Sequence, residues 1–328
     1  MSAGDQLNPV CVPEREIAPP RTISPLARKA LSDGAASAGL AWPPADDIEG
    51  WRSFVSTVSA ARAPAFARML ESARARVEDK AIGGVPCYDC RPSDDGRDDE
   101  PVYMFMHGGA FVTGGGLQAR AQGARAAQML RARCVSVDYR MPPDHPFPAA
   151  PEDCVAVYRG LLDEGVAPAR IVIGGASAGG NLAASATLMI RDRDMSLPAG
   201  VVLLTPEMDL TESGDTFRTN RMLDVVLKRG LAECNKLYAA GADLTDPLVS
   251  PLFADFGKGF PPTLVQSGTR DLFLSNSVLI HRKLRDAGIE AELHVWEAMP
   301  HGGFPPGEAP ENAEIQAEVA RFIARVTG

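Results

Sequence analysis

From Ala81 to the C-terminus, short apolar runs alternate with longer stretches whose apolar residues recur at helical spacing. A chain of this rhythm is confined to few architectures. Each run buries both of its faces, each following helix covers one of them, and the result is a mostly parallel sheet flanked by helices. Strands are expected at 102–106, 134–139, 171–173, 201–204, 263–266 and 292–296, and helices at 117–131, 151–164, 178–193, 275–287 and 311–326. Pro151, Glu152 and Asp153 suit a first helical turn, because proline needs no donor there and acids complement the helix dipole.

Two regions break the rhythm. Residues 1–80 are alanine-rich, with amphipathic spacing across 51–78 and a breaker, AWPP, at 41–44. Residues 206–250 give a long mixed stretch between two strands. Both are expected to form a helical cap: residues 1–80 as its N-terminal part, and about 207–247 as an insertion in a catalytic domain spanning 81–328. Trp51, Phe54 and Phe66 should face Phe217, Met222 and Leu223, since neither stripe is buried alone, and together these residues would wall a substrate pocket.

A hydrophobic fraction of 45% over 328 residues supports a sizeable core. The net charge of −9 disfavours nucleic acid and anionic membranes as partners. No uncharged apolar run approaches the roughly 18 residues of a membrane span, and the first twenty residues carry acids and prolines where a secretion signal needs a continuous apolar core. Six thinly spread cysteines fit the reducing cytoplasm. Cys87 and Cys90 form a CxxC without a second pair, in a segment that reads as an edge strand. The acidic stretch at 93–101 reads as a solvated hairpin loop, and Gly114 to Gly116 lack the spacing of a nucleotide loop. No metal or cofactor is expected.

Gly175-Ala176-Ser177-Ala178-Gly179 matches GxSxG. The pattern is weak alone, because glycine and serine are common here. Its position between an expected strand and an expected helix is much stronger, since a sharp strand-to-helix turn projects the serine hydroxyl above a sheet. A hydroxyl needs a base to remove its proton. Of the five histidines, His281 is placed mid-helix, His294 mid-strand and His145 in a proline-rich turn. His107 precedes the serine, against the serine, acid, histidine order that accompanies such a turn. His301 remains, in a glycine-flanked loop before the last helix. Asp271, directly after the penultimate strand, is the acid best placed to orient it; Asp209, Asp243 and Asp246 are weaker rivals because they lie in the insertion. His107-Gly108-Gly109-Ala110 follows a strand, and the N–H groups of Gly108 and Gly109, with that of Ala178, are candidates to meet an oxyanion.

Together HGGAFVTGG at 107–115, DYRMPPDHPFPAAPED at 138–153, GGASAGGNLA at 174–183, DPLVSPLFAD at 246–255, SGTRDLF and MPHGGF resemble the hormone-sensitive-lipase-like esterases, the bacterial family IV of the α/β-hydrolases. The resemblance implies the α/β-hydrolase fold with a helical cap, Ser177, Asp271 and His301 as a triad, Gly108, Gly109 and Ala178 as an oxyanion hole, and no cofactor. It implies a small ester of short or medium acyl chain as substrate, and pairing of two copies through the strand at 292–296. Ala176 departs from the pattern, where aspartate is usual. The last third is also similar to enzymes acting on monoterpene ε-lactones. Amidase or formamidase activity would use the same triad. A non-catalytic receptor on this fold would lack the working histidine, which His301 supplies here.

Overall fold

The computed structural model describes residues 10–37, 39–93 and 100–328. Most of the acidic stretch expected as a hairpin loop, residues 94–99, lies outside the described residues. In chain order the elements are α1 (Pro25–Ala36), α2 (Ile48–Ser72), β1 (Ala75–Ile82), β2 (Val85–Pro92), β3 (Val102–Met106), α3 (Leu117–Leu130), β4 (Arg133–Val137), α4 (Ala149–Asp163), β5 (Ile171–Ala176) and α5 (Ala178–Asp192). There follow β6 (Gly200–Leu204), α6 (Thr216–Thr219), α7 (Ala232–Ala239), β7 (Thr263–Gly268), α8 (Leu274–Asp286), β8 (Ala291–Trp296) and α9 (Pro310–Thr327).

One sheet runs β1-β2-β4-β3-β5-β6-β7-β8, parallel from β4 to β8, with β1 and β2 antiparallel at one side. The period of two in each strand divides the interior into two cores. Met104 and Met106 of β3 join Val135, Ile173 and Leu203 on one face, while Tyr103 and Phe105 join Val172, Val202 and Leu264 on the other. Cys87 and Cys90, three residues apart on β2, fall into opposite cores, and burial pushes both thiols up to about 12. They are two separated packing residues rather than a chelating or redox pair.

The antiparallel side differs from the sequence reading. Helix α2 ends at Ser72, and β1 lies inside the span expected to belong to the cap. Its sequence, ARVEDKAI, carries charges along a mostly exposed edge strand, a pattern that guards an edge and hides the strand signal. With β1 outside it, β2 is an interior strand. Buried Asp89 on β2 there accepts from Arg133 Nε and Nη2, each at 3.0 Å, and from Lys80 Nζ at 2.8 Å, tying three strands together.

The helices outside the sheet pack on one another. Trp51 is fully buried in a cluster with Phe217, Leu231, Leu237, Leu272 and Phe273, and Phe54 packs on it. The Trp51 indole N–H donates to Pro44 O at 2.9 Å. Val225 of the insertion packs with Ala27 and Leu31 of α1, and Lys228 Nζ donates to the carbonyls of Ala35 and Ser37 at that helix's C-terminal end. Among the described residues no helix is long and apolar enough to cross a membrane.

Candidate active site

In the sheet order the chain leaves β3 toward β4 on one side and returns to β5 on the other. Connections after β3 and β5 therefore diverge, leaving a crevice at the carboxyl ends of the strands. The glycine-rich loop after β3 and the turn after β5 meet there. Ser177 adopts φ 58° and ψ −122°, a left-handed conformation that a non-glycine residue holds only when its surroundings enforce it. Closeness enforces it: a Cβ on Gly179 would lie 2.1 Å from Met106 O, and one on Gly108 would lie 2.8 Å from Ala176 O. Only glycine lets the start of α5 and the loop after β3 approach so nearly. The N–H groups of Gly108, Gly109 and Ala178 donate to no acceptor among the described residues. All three flank the serine.

Asp271 follows β7 and is fully buried. Its Oδ1 accepts from Phe273 N at 3.0 Å and lies 3.0 Å from His301 Nδ1, while Oδ2 accepts from Ser267 Oγ at 2.7 Å. The carboxylate is thus fixed from two sides before it meets the imidazole. Burial opposes a charge on His301, but Asp271, with Asp224 behind it, outweighs burial and raises the imidazole above its ordinary value. Phe273 presents its ring to the imidazole edge-on at 4.8 Å. Ser177 and His301 open onto one cavity of about 610 Å³. Among the described residues Ser177 Oγ makes no hydrogen bond, a looseness expected of such a pair before substrate arrives.

The other histidines lie elsewhere. His107 is buried, stacks on Tyr139 at 4.2 Å and is depressed to about 4 by burial, so its imidazole is neutral at physiological pH. His294 lies 3.0 Å from Glu292 on β8, and His281 is on α8.

The pocket walls differ from the expectation. Trp42, Phe54, Val58, Phe66, Leu227 and Leu231 line the cavity, whereas Phe217, Met222 and Leu223 do not. Phe217 packs behind it on Phe273, with ring centroids 5.5 Å apart. Met222 sits at φ 64° in a turn and is 64% exposed. Asp224 is drawn inward within that turn and holds the N–H groups of Val226 and Leu227, and these two residues rather than Met222 and Leu223 line the cavity.

Asp224 is a buried carboxylate of the site that sequence reasoning passed over. Its Oδ1 accepts from the N–H groups of Val226 and Leu227, at 2.9 and 3.0 Å. Its Oδ2 accepts from Leu272 N at 2.8 Å and His301 N at 3.2 Å. One carboxylate thereby joins the insertion to the loops carrying Asp271 and His301. Burial, then the neighbouring Asp271, push it up to about 6. Glu207, directly after the segment that follows β6, is the second such group. Its backbone meets the Ser177 turn, donating to Ser177 O at 3.3 Å and accepting from Asn181 Nδ2 at 2.9 Å, and its side chain accepts from Asn235 of α7 at 2.9 Å. Burial pushes its carboxyl up to about 8, so it is largely protonated at neutral pH.

Residues 103–305 match a family model described as the alpha/beta hydrolase fold. An acetyl-hydrolase of Streptomyces hygroscopicus is 33% identical over 62% of this chain and 69% of its own length. An esterase of Acinetobacter venetianus is 33% identical over 67% of this chain and 74% of its own. Among solved structures, a crystallised esterase superposes with a TM-score of 0.86 at 32% identity, covering 97% of this chain and 99% of that one. An esterase from the bacterial hormone-sensitive lipase family gives 0.80 at 32% identity, over 93% of this chain and 99% of that one.

Proposed function

This chain belongs to the α/β-hydrolase family and is a carboxylic-ester hydrolase, and we propose that it works through Ser177 as nucleophile, His301 as general base and Asp271 as the group that orients the imidazole. The observation that carries the proposal is the buried Asp271–His301 contact at 3.0 Å, with its imidazole open to the same cavity as a serine held in a strained turn.

Ser177 Oγ attacks the ester carbonyl carbon while His301 Nε2 takes the hydroxyl proton. The negative charge that develops on the carbonyl oxygen meets the N–H groups of Gly108, Gly109 and Ala178, which are already in place and need no reorganisation. Collapse breaks the bond to the alcohol, which leaves with the proton from His301, and Ser177 is acylated. Water, deprotonated by His301, then attacks the acyl carbon; collapse breaks the bond to Ser177 Oγ, which takes the proton back from His301 as the carboxylic acid leaves. Each step draws on side chains and backbone donors of this chain. A cavity of about 610 Å³ with apolar walls suits acyl chains of short to medium length.

The test is turnover of a panel of ethyl esters, lactones and amides by wild type and by Ser177→Ala, with mass spectrometry of the protein after a fluorophosphonate probe. Ester turnover lost in the variant, and label on Ser177, are expected; turnover retained in Ser177→Ala would move the nucleophile elsewhere. We place the protein in the reducing cytoplasm, a reading supported by six free cysteines, five of them buried. We also propose that two copies pair through β8, which ends the sheet and exposes Val295; a monomer in sedimentation overturns it.

A further inference from the structure

We propose that the cavity takes esters whose acyl chain ends in an anionic group, a carboxylate above all, and that Arg62 of α2 receives it. The inference rests on the reading of this cavity as the acyl site of a Ser177 esterase, and extends it to a substrate class.

Helix α2 turns one face to the cavity through Phe54, Val58, Arg62 and Phe66, spaced four residues apart. Three of these are the apolar residues that such a stripe requires. Arg62 is the exception. It is half-buried, and burial alone shifts its guanidinium, downward, with no opposing carboxylate. Several arginines of this chain meet a carboxylate, Arg52 with Asp144, Arg120 with Asp79, Arg133 with Asp89 and Arg140 with Asp153, and Arg270, also shifted down by burial, donates to the Ala18 carbonyl. Among the described residues Arg62 has neither an acidic partner nor an aromatic ring beneath it. A guanidinium withdrawn from water without a partner is held at a cost that a bound anion removes.

The rest of the lining points the same way. The chain has 42 acidic against 33 basic residues, yet the cavity wall contains no aspartate or glutamate among the described residues. It does contain a second arginine, Arg125 of α3, together with Gln118, Asn312 and Gln316. An acidic protein has thus kept carboxylates out of one cavity and left a cation in its wall. The overall negative charge does not prevent an anion from binding there, because charges farther away than about 8 Å are screened at physiological ionic strength. The planar fork of arginine matches a carboxylate in two parallel hydrogen bonds. The apolar positions between Ser177 and Arg62 would hold the methylenes of a dicarboxylic half-ester, with its ester end at the serine.

The experiment compares kcat/KM for monoethyl esters of dicarboxylic acids, from succinate to sebacate, with ethyl alkanoates of equal chain length. At one length the anionic ester should be preferred by about tenfold, the low end for a charge-assisted hydrogen bond. The preference should reside in KM, weaken in high salt, fall to about one in Arg62→Gln and survive in part in Arg62→Lys. A ratio of one or less at every length in wild type, or a preference that Arg62→Gln leaves intact, overturns the proposal. Calorimetry on Ser177→Ala with suberate against octanoate reads the same preference without turnover. Suberate bound more tightly, and only with Arg62 present, while wild type hydrolyses no ester, would overturn the esterase reading and leave standing Arg62 as the receiver of a carboxylate in this cavity. Ester turnover through Ser177 with no discrimination in either assay would do the reverse.

Discussion

Ser177 holds its left-handed backbone because Gly108 and Gly179 close around it, so the geometry of the proposed nucleophile belongs to its neighbours rather than to its own side chain. Ser177→Ala should therefore fold normally and lose about a millionfold in kcat, measured by ester turnover with circular dichroism as the folding control. His301→Ala should behave alike, and the double variant should be little worse, since the groups act as a unit. His301 must be uncharged to accept a proton, and its raised pKa means that kcat/KM falls as pH drops through a value above the ordinary imidazole range. Asp224→Asn removes one of the negative charges that raise it. In that variant the acid limb should move to lower pH, while plateau kcat falls by about tenfold because the His301 loop loses its anchor. An unmoved acid limb would reduce Asp224 to a structural residue. Ser177, Asp271 and His301 were legible as candidates because each lies in the connection that follows a strand, in the order expected of such a turn. Asp224 was not legible: its partners are backbone N–H groups of Leu272 and His301, which leave no mark on the sequence.

Strands β3 to β7 could be read because each is a short apolar run between breakers, as a strand buried on both faces must be. By contrast β8, half-exposed at the end of the sheet with Glu292 and His294 in it, was placed by its position between two helices. The antiparallel pair escaped that logic. In β1 the charges of Arg76, Glu78, Asp79 and Lys80 continue the arginine- and alanine-rich texture of α2, so the helical reading ran on past Ser72. In β2 the strand was recognised but its place was not, because only pairing with β1 and β4 makes it interior. The pocket walls failed for a related reason: which residues of the insertion face inward is set by the turn that Asp224 draws together, not by periodicity. Contact between elements also carries a prediction. The first turn of α5 touches the end of β3 at Gly179, where an added Cβ would meet a carbonyl oxygen that cannot swing aside. Gly179→Ala should cost about 1–3 kcal/mol and displace the Ala178 N–H, lowering kcat by about a hundredfold. Thermal melts and turnover check both figures, and wild-type values in each would mean that α5 and β3 have more freedom than their approach implies.

At the scale of the molecule, the sheet supplies the chemistry and the segments outside it supply the walls. The proposed serine, acid, base and oxyanion donors all stem from the ends of β3, β5, β7 and β8, whereas Trp42, Phe54, Val58 and Phe66 come from the N-terminal region, and Leu227 and Leu231 from the insertion. We propose that α1, α2 and the insertion form one cap, because each buries its apolar stripe on another: Trp51 against Phe217 and Leu231, Val225 against Leu31. A truncation that tests this must stop at residue 72, since removing β1 would strip the sheet edge as well. Without residues 1–72 the cluster around Phe217, Leu237 and Phe273 loses Trp51 and Phe54 and becomes an exposed apolar patch, so the protein should bind hydrophobic dyes and aggregate. Among chains that stay soluble, kcat/KM for a butyrate or hexanoate ester should fall by about tenfold or more, while that for an acetate ester falls less, because the longer acyl group has lost its wall and the shorter one never reached it. A soluble truncation with unchanged dependence on acyl length would show that the helices lie beside the catalytic cavity without shaping it, and the proposed role of Arg62 would then fall with them.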